Sequence, residues 1–153
     1  MRPWIIFVVC VCAPALVRAE LPKRDASADA RAFRAALDEA KRLQRNGACM
    51  LAYPKFLSLQ GEEPTNPDVL WGVAECGVLH ARVVVEGDQR QAILRSSRDA
   101  YLAIRSAKRQ PQERITRADR CVPMLNALIG NTALAMPEDC VAPDALVLAV
   151  AVV

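Results

Sequence analysis

GEEPTNPDVLWGVAECGVLHA, residues 61–81, is the stretch on which the fold turns. A glycine, two carboxylates and two prolines within seven residues interrupt any regular element and mark Gly61 to Pro67 as a loop. Asn66 then offers a capping side chain, and Pro67 suits a first helical turn, where its missing N–H is no loss. A helix is predicted from Pro67, with Val69, Leu70, Val73, Ala74, Cys76, Gly77, Leu79 and Ala81 as its apolar residues. That stripe is too broad for one neighbour and predicts an interior helix packed on two sides. The β-branched run Val83-Val84-Val85 weakens its end, and Glu86-Gly87-Asp88 closes it.

Helical periodicity continues in both directions. Upstream, Ala30, Phe33, Leu37, Ala40 and Leu43 recur at steps of three or four from Ser27 onward, until Asn46-Gly47 provides a C-terminal cap. A second helix is predicted from Ala48 to Gln60 with Cys49, Ala52, Phe56 and Leu57 inward. Pro54 lies within it, so this helix is expected to begin late or to kink there. Downstream, a fourth helix over 89–107 places Ala92, Ile93, Ser97, Ala100, Tyr101 and Ile104 inward. A fifth opens at Pro111, runs to Ile129 with Ile115, Ala118, Val122, Leu125 and Ile129 inward, bends at Pro123 and stops at Gly130-Asn131. The reading is all-α, about five helices in antiparallel hairpins, over residues 27–131, with an irregular tail over 132–153.

The first nineteen residues read differently. Arg2 precedes a nearly unbroken apolar run from Trp4 to Val17, and Val17-Arg18-Ala19 sets small or neutral residues before Glu20. About fourteen apolar residues fall short of the roughly twenty that span a bilayer, so residues 1–19 are read as a cleaved secretory signal. Residues 20–26 form a polar lead-in. The chain of 153 residues then loses Arg2 and Arg18, its 20 basic and 17 acidic residues become 18 and 17, and the formal +3 falls to +1. No nucleic-acid partner is implied by so small a charge. Aromatic content of 5% likewise argues against stacking platforms for single strands or sugars.

The hairpin pattern resembles a degenerate tetratricopeptide repeat, a family of antiparallel helix pairs stacked into a superhelix. Gly47, Ala52, Tyr53, Phe56 and Leu57, followed by Pro64-Thr65-Asn66-Pro67, are similar to the second half of such a repeat. Gly87-Asp88 with Ala92 and Tyr101 is similar again, forty residues after Gly47. The family period is about 34, so the Gly61 to Pro67 loop would be an insertion. Gly72 after Trp71 occupies the small-residue position of a first helix, whereas Cys76 stands where the family has a tyrosine. The resemblance covers about eighty residues and implies pairs over 28–60 and 67–107 plus a lone terminal helix. An ordinary bundle of similar hairpins fits the same residues.

In an oxidising compartment the four mature cysteines, Cys49, Cys76, Cys121 and Cys140, are expected to form two disulfides rather than a metal centre, since none makes a C-x-x-C pair. Three connectivities are open from sequence. Helix geometry allows Cys49 with Cys76: they stand about 16 and 14 Å from the loop ends of their helices at 1.5 Å per residue. Cys121 and Cys140 would then fasten the tail to the last helix. His80 is the only histidine, which excludes a multi-histidine zinc site and leaves one possible base for a catalytic pair. Its place near a helix end suits hydrogen bonding to free carbonyls. Glu62, Glu63 and Asp68 read as solvated loop charges. No phosphate-cradling glycine loop and no nucleophile-elbow motif is present.

The remaining feature is charge. Residues 90–120 hold nine basic residues against Asp99, Glu113 and Asp119. Arg95, Arg98 and Arg105 recur on one side of the fourth helix, and Arg114, Arg117 and Arg120 would continue the patch on the fifth. Guanidinium groups make forked bonds to carboxylates and phosphates, so the patch suits an acidic protein or anionic lipid head groups. Its bland counterpart is a solvated helix face supported by Asp99 and Asp119. The expectation is a non-enzymatic protein-binding module of the cell envelope, periplasmic or secreted, without cofactor or metal. The competing expectation is a secreted, disulfide-stabilised helical effector or inhibitor.

Overall fold

A computed structural model of the chain describes residues 26–84, 87–130 and 140. The expected signal over 1–19, the expected lead-in over 20–26 apart from Ala26, and the tail apart from Cys140 lie outside the described residues. Five helices follow in order: α1 (Ala26–Arg45), α2 (Cys49–Glu62), α3 (Pro67–Val83), α4 (Asp88–Ser106) and α5 (Gln112–Gly130). Each boundary falls within two residues of the place where the cap and loop chemistry sets it.

The turns explain that agreement. Gly47 takes φ 72°, a left-handed conformation that glycine adopts without a Cβ clash. The Ala48 N–H thereby reaches the Leu43 carbonyl at 2.9 Å and the Gly47 N–H reaches that of Gln44 at 3.0 Å. This is a Schellman closure of α1. At the other end of α2, the Asn66 side chain accepts hydrogen bonds from the N–H groups of Asp68 and Val69, with Pro67 at the first helical position.

Consecutive helices pack on one another, and α1 also touches α3. Ion pairs from Lys41 on α1 and Arg114 on α5 meet at Asp68 on α3. Ser97 of α4 and Tyr53 of α2 close on the same point at Gly77 of α3. The helices therefore alternate between two layers, α1, α3 and α5 in one and α2 and α4 in the other. Stacked antiparallel hairpins give this arrangement.

As its broad stripe predicts, α3 is the centre: Val69, Leu70, Gly72, Val73, Ala74, Glu75, Cys76, Gly77, Val78 and Ala81 are all buried. Its two glycines give its neighbours room. A Cβ at Gly72 would run into the Phe56 ring of α2, and one at Gly77 would meet Ser97 of α4 and Tyr53 of α2 together. Both disulfides are formed, Cys49–Cys76 with a Cα separation of 4.8 Å and Cys121–Cys140 with 5.4 Å. The first clamps α2 to α3. The second ties Cys140 to α5.

Some inward assignments differ from the sequence reading. Leu57 is 38% exposed while Tyr53 and Leu59 are buried in its stead, because α2 is apolar on nearly every side and gives no phase to read. Ala30 and Ala92 face water. Leu94 on α4, and Cys121 and Leu128 on α5, are buried positions that the periodicity reading omitted. Ile115 and Ile129 are only half-buried. Helix α2 starts before Pro54 and continues through it. Pro54 and Met50, whose carbonyl loses its helical donor, both face water, which can bond the freed oxygen. Pro123 and Asp119 repeat that arrangement in α5.

Candidate functional site

The six arginines of the expected patch separate into two groups. Arg114 and Arg117 turn from water toward α3, whose residues Asp68, Trp71 and Glu75 lie at steps of three and four on one face. Arg114 donates to Asp68 Oδ1 at 2.9 Å and to the Pro67 carbonyl at 3.3 Å. Its guanidinium carbon sits 5.2 Å from the centre of the Trp71 ring. Arg117 donates to Glu75 Oε1 at 2.7 Å and lies 5.9 Å from the same ring. The Tyr101 hydroxyl, from α4, donates to Glu75 Oε1 at 3.3 Å, and its ring meets Trp71 edge-on with centroids 6.2 Å apart. Lys41 completes the chain of charge, donating to Asp68 Oδ2 at 2.7 Å.

Burial decides what these contacts do. Glu75 is 7% exposed, and loss of water raises its pKa despite the opposing bond and charge of Arg117 and the bond from Tyr101. Asp68 is more open, and its pKa is lowered, first by the Lys41 bond and then by Arg114. Burial carries the Tyr101 hydroxyl well above its ordinary range. Such a cluster holds four helices, α1, α3, α4 and α5, in register. It has cations over an aromatic face and a desolvated carboxylate, yet each of those charges is paired within the chain.

The other arginines remain outward. Arg95 and Arg120 are exposed. Arg98 makes two bonds to Asp99, its neighbour in sequence, at 2.7 and 2.9 Å. Arg105 reaches Asp119 across the α4–α5 contact at 3.6 Å, with both side chains about half-exposed. Arg95, Arg98, Leu102 and Arg105 follow the same three-and-four step along α4, so the basic row belongs chiefly to that helix. The expected six-arginine patch is therefore corrected to Arg95, Arg98, Arg105 and Arg120. Arg114 and Arg117 leave it because they turn onto Asp68, Glu75 and the Trp71 ring of α3.

His80 packs its ring edge-on to Tyr53 at 5.1 Å, and its Nδ1 is buried without a hydrogen-bond partner. The expected bonding of this side chain to free helix carbonyls is not seen. Glu62 and Glu63 are exposed, and Glu63 accepts a bond from Asn66 at 2.8 Å, in keeping with a solvated loop. Trp71, Glu75 and Tyr101 were not singled out as a cluster from sequence. The signal was a carboxylate inside the apolar stripe of α3, seven residues after Asp68, facing a second helix with arginines three apart. No protein-family model, curated protein or solved structure matches this chain.

Proposed function

We propose that the chain is a non-enzymatic binding protein of the periplasm or the extracellular space, a short tetratricopeptide-like stack that presents the basic row of α4 to an acidic protein partner. One observation carries this reading. Arg95 and Arg120 are exposed and Arg105 is about half-exposed, with Arg98 beside them bonded to its neighbour Asp99, whereas the cations of α5 that face α3 are used internally. The alternation of helices between two layers is compatible with the repeat resemblance and with an ordinary bundle of hairpins. The two disulfides support an oxidising compartment. Among the described residues no helix is long and apolar enough to cross a membrane. The stapled helices also suit a secreted effector or inhibitor, and cell fractionation separates the two: retention in the envelope favours the first, release to the medium the second.

The partner reading is tested by capture from intact envelopes with the wild type and with the combined variant Arg95→Gln, Arg98→Gln, Arg105→Gln. Bound partner should fall by about tenfold or more in the variant and decline with added salt in the wild type. Equal capture by a folded variant removes the basic row from the function.

A further inference from the structure

The α1–α2 turn and the end of α3 bring together a second surface of different character. Exposed large apolar side chains are few among the described residues: Met50, Leu51, Leu57 and Val83. Three of them gather at one end of the bundle. The Lys55–Glu39 ion pair fixes the register of α2 on α1. Counting toward the turn from that pair sets Leu51 level with Leu43 and next to Arg42. The Cys49–Cys76 bond and the packing of Phe56 against Gly72 fix the register of α2 on α3. Val83 lies two turns beyond Cys76, so α3 runs past the start of α2 by about 10 Å and carries Val83 to the level of the turn.

Leu51 is 63% exposed, Val83 61% and Met50 46%. Exposed Arg42 and Arg45 close α1 beside them and half-buried Arg82 comes from the adjoining end of α3, while Arg90 of α4 is bonded to the Ala81 carbonyl. Among the described residues, Asp88 is the carboxylate at this end. An apolar tip ringed by cations has two physical complements, a patterned protein surface or an anionic bilayer. A stable protein complex buries roughly 800 Å² on each partner with matched shape, more than three half-exposed side chains supply. A bilayer needs no matched shape. It accepts apolar side chains at the depth of the acyl boundary while its head groups meet the arginines.

We propose that this end of the bundle docks on an anionic lipid bilayer, with Met50, Leu51 and Val83 inserted and Arg42 and Arg45 against the head groups. The site shares no residue with the basic row of α4, and neither proposal rests on the other. The test is sedimentation of the processed, disulfide-intact chain with phosphatidylcholine vesicles, with and without phosphatidylglycerol. Wild type should sediment only with the anionic vesicles, and less so as salt rises. Leu51→Ser with Val83→Ser should lower the bound fraction by about tenfold or more. Arg42→Gln with Arg45→Gln should lower it about fivefold to tenfold and flatten the salt dependence. All these positions are exposed, so each variant should keep the helical spectrum of the wild type, and binding is compared between folded proteins. Wild type that ignores both vesicles overturns the proposal, as does undiminished binding by Leu51→Ser with Val83→Ser. Loss of vesicle binding in Arg95→Gln, Arg98→Gln, Arg105→Gln, with the tip variants unaffected, also overturns it and assigns the lipid contact to α4.

Discussion

Arg117 and Arg95 are the same residue type, both in helices of this bundle and both expected on one surface patch, yet they belong to different parts of the protein's chemistry. Arg117 faces a carboxylate that has lost its water, and its side chain is 20% exposed. Arg95 faces solvent. The difference lies in what the helix packs against: α5 lies over the polar positions of α3, whereas the outer side of α4 meets no other described helix. An arginine opposite a buried acid is a structural part, and an arginine opposite water is available to a partner.

The contrast breaks most visibly at Arg117. Replacing it with Ala leaves Glu75 buried and unpaired, and the chain should lose about 3 kcal/mol in denaturant unfolding. A second change, Glu75→Gln, should recover part of that loss, so the two effects are not additive. If Arg117→Ala costs no more than a surface substitution, the two groups of arginines do not differ in kind.

Acid titration sharpens the same comparison within the cluster. The pKa of Glu75 is raised above its ordinary 4.5, so its protonated form is the favoured buried one. Its contribution to stability is fully present below that value and is lost as pH rises through the folded-state pKa. Arg117→Ala should therefore be milder below pH 4.5 than at neutrality. Asp68 has the opposite sign. Its pKa is lowered below 3.8, so its contribution is present above 3.8 and is lost as pH falls through the folded-state pKa. Asp68→Asn should destabilise by up to about 1 kcal/mol near neutrality, reflecting its partial exposure, and the deficit should vanish in strong acid. Thermal melts across the acid range separate these two opposite slopes.

The smallest effect is expected on α4. Arg95→Gln, Arg98→Gln and Arg105→Gln should each change unfolding free energy by no more than about 0.5 kcal/mol. A larger loss in any of them moves that arginine into the structural group.

What the sequence made legible was local. Gly47, the Asn66-Pro67 pair and the Gly87 break act on the residues beside them, and the helix boundaries follow from them. The Cys49–Cys76 pairing was also within reach, because rise per residue converts sequence position into height along an antiparallel pair. The function of Arg114 and Arg117 was not, since periodicity shows which face of one helix is polar and not which helix will cover it. Leu57 and Leu59 show the same limit on α2, where apolar residues surround the helix and only the position of α3 selects among them. Glu75 was the exception that could have been read: a carboxylate within an otherwise buried stripe requires a cation from elsewhere, and α5 holds two at matching spacing.

The Cys49–Cys76 bond gives the central hairpin one more property. With the backbone through Gly61, Glu62 and Pro64 it forms a closed ring, so the exposed loop is a segment of a circle rather than the sole tether between α2 and α3. A protease that cuts this loop opens the ring without dividing the molecule. The two pieces stay at the effective concentration of neighbours, and only a reductant lets them diffuse apart.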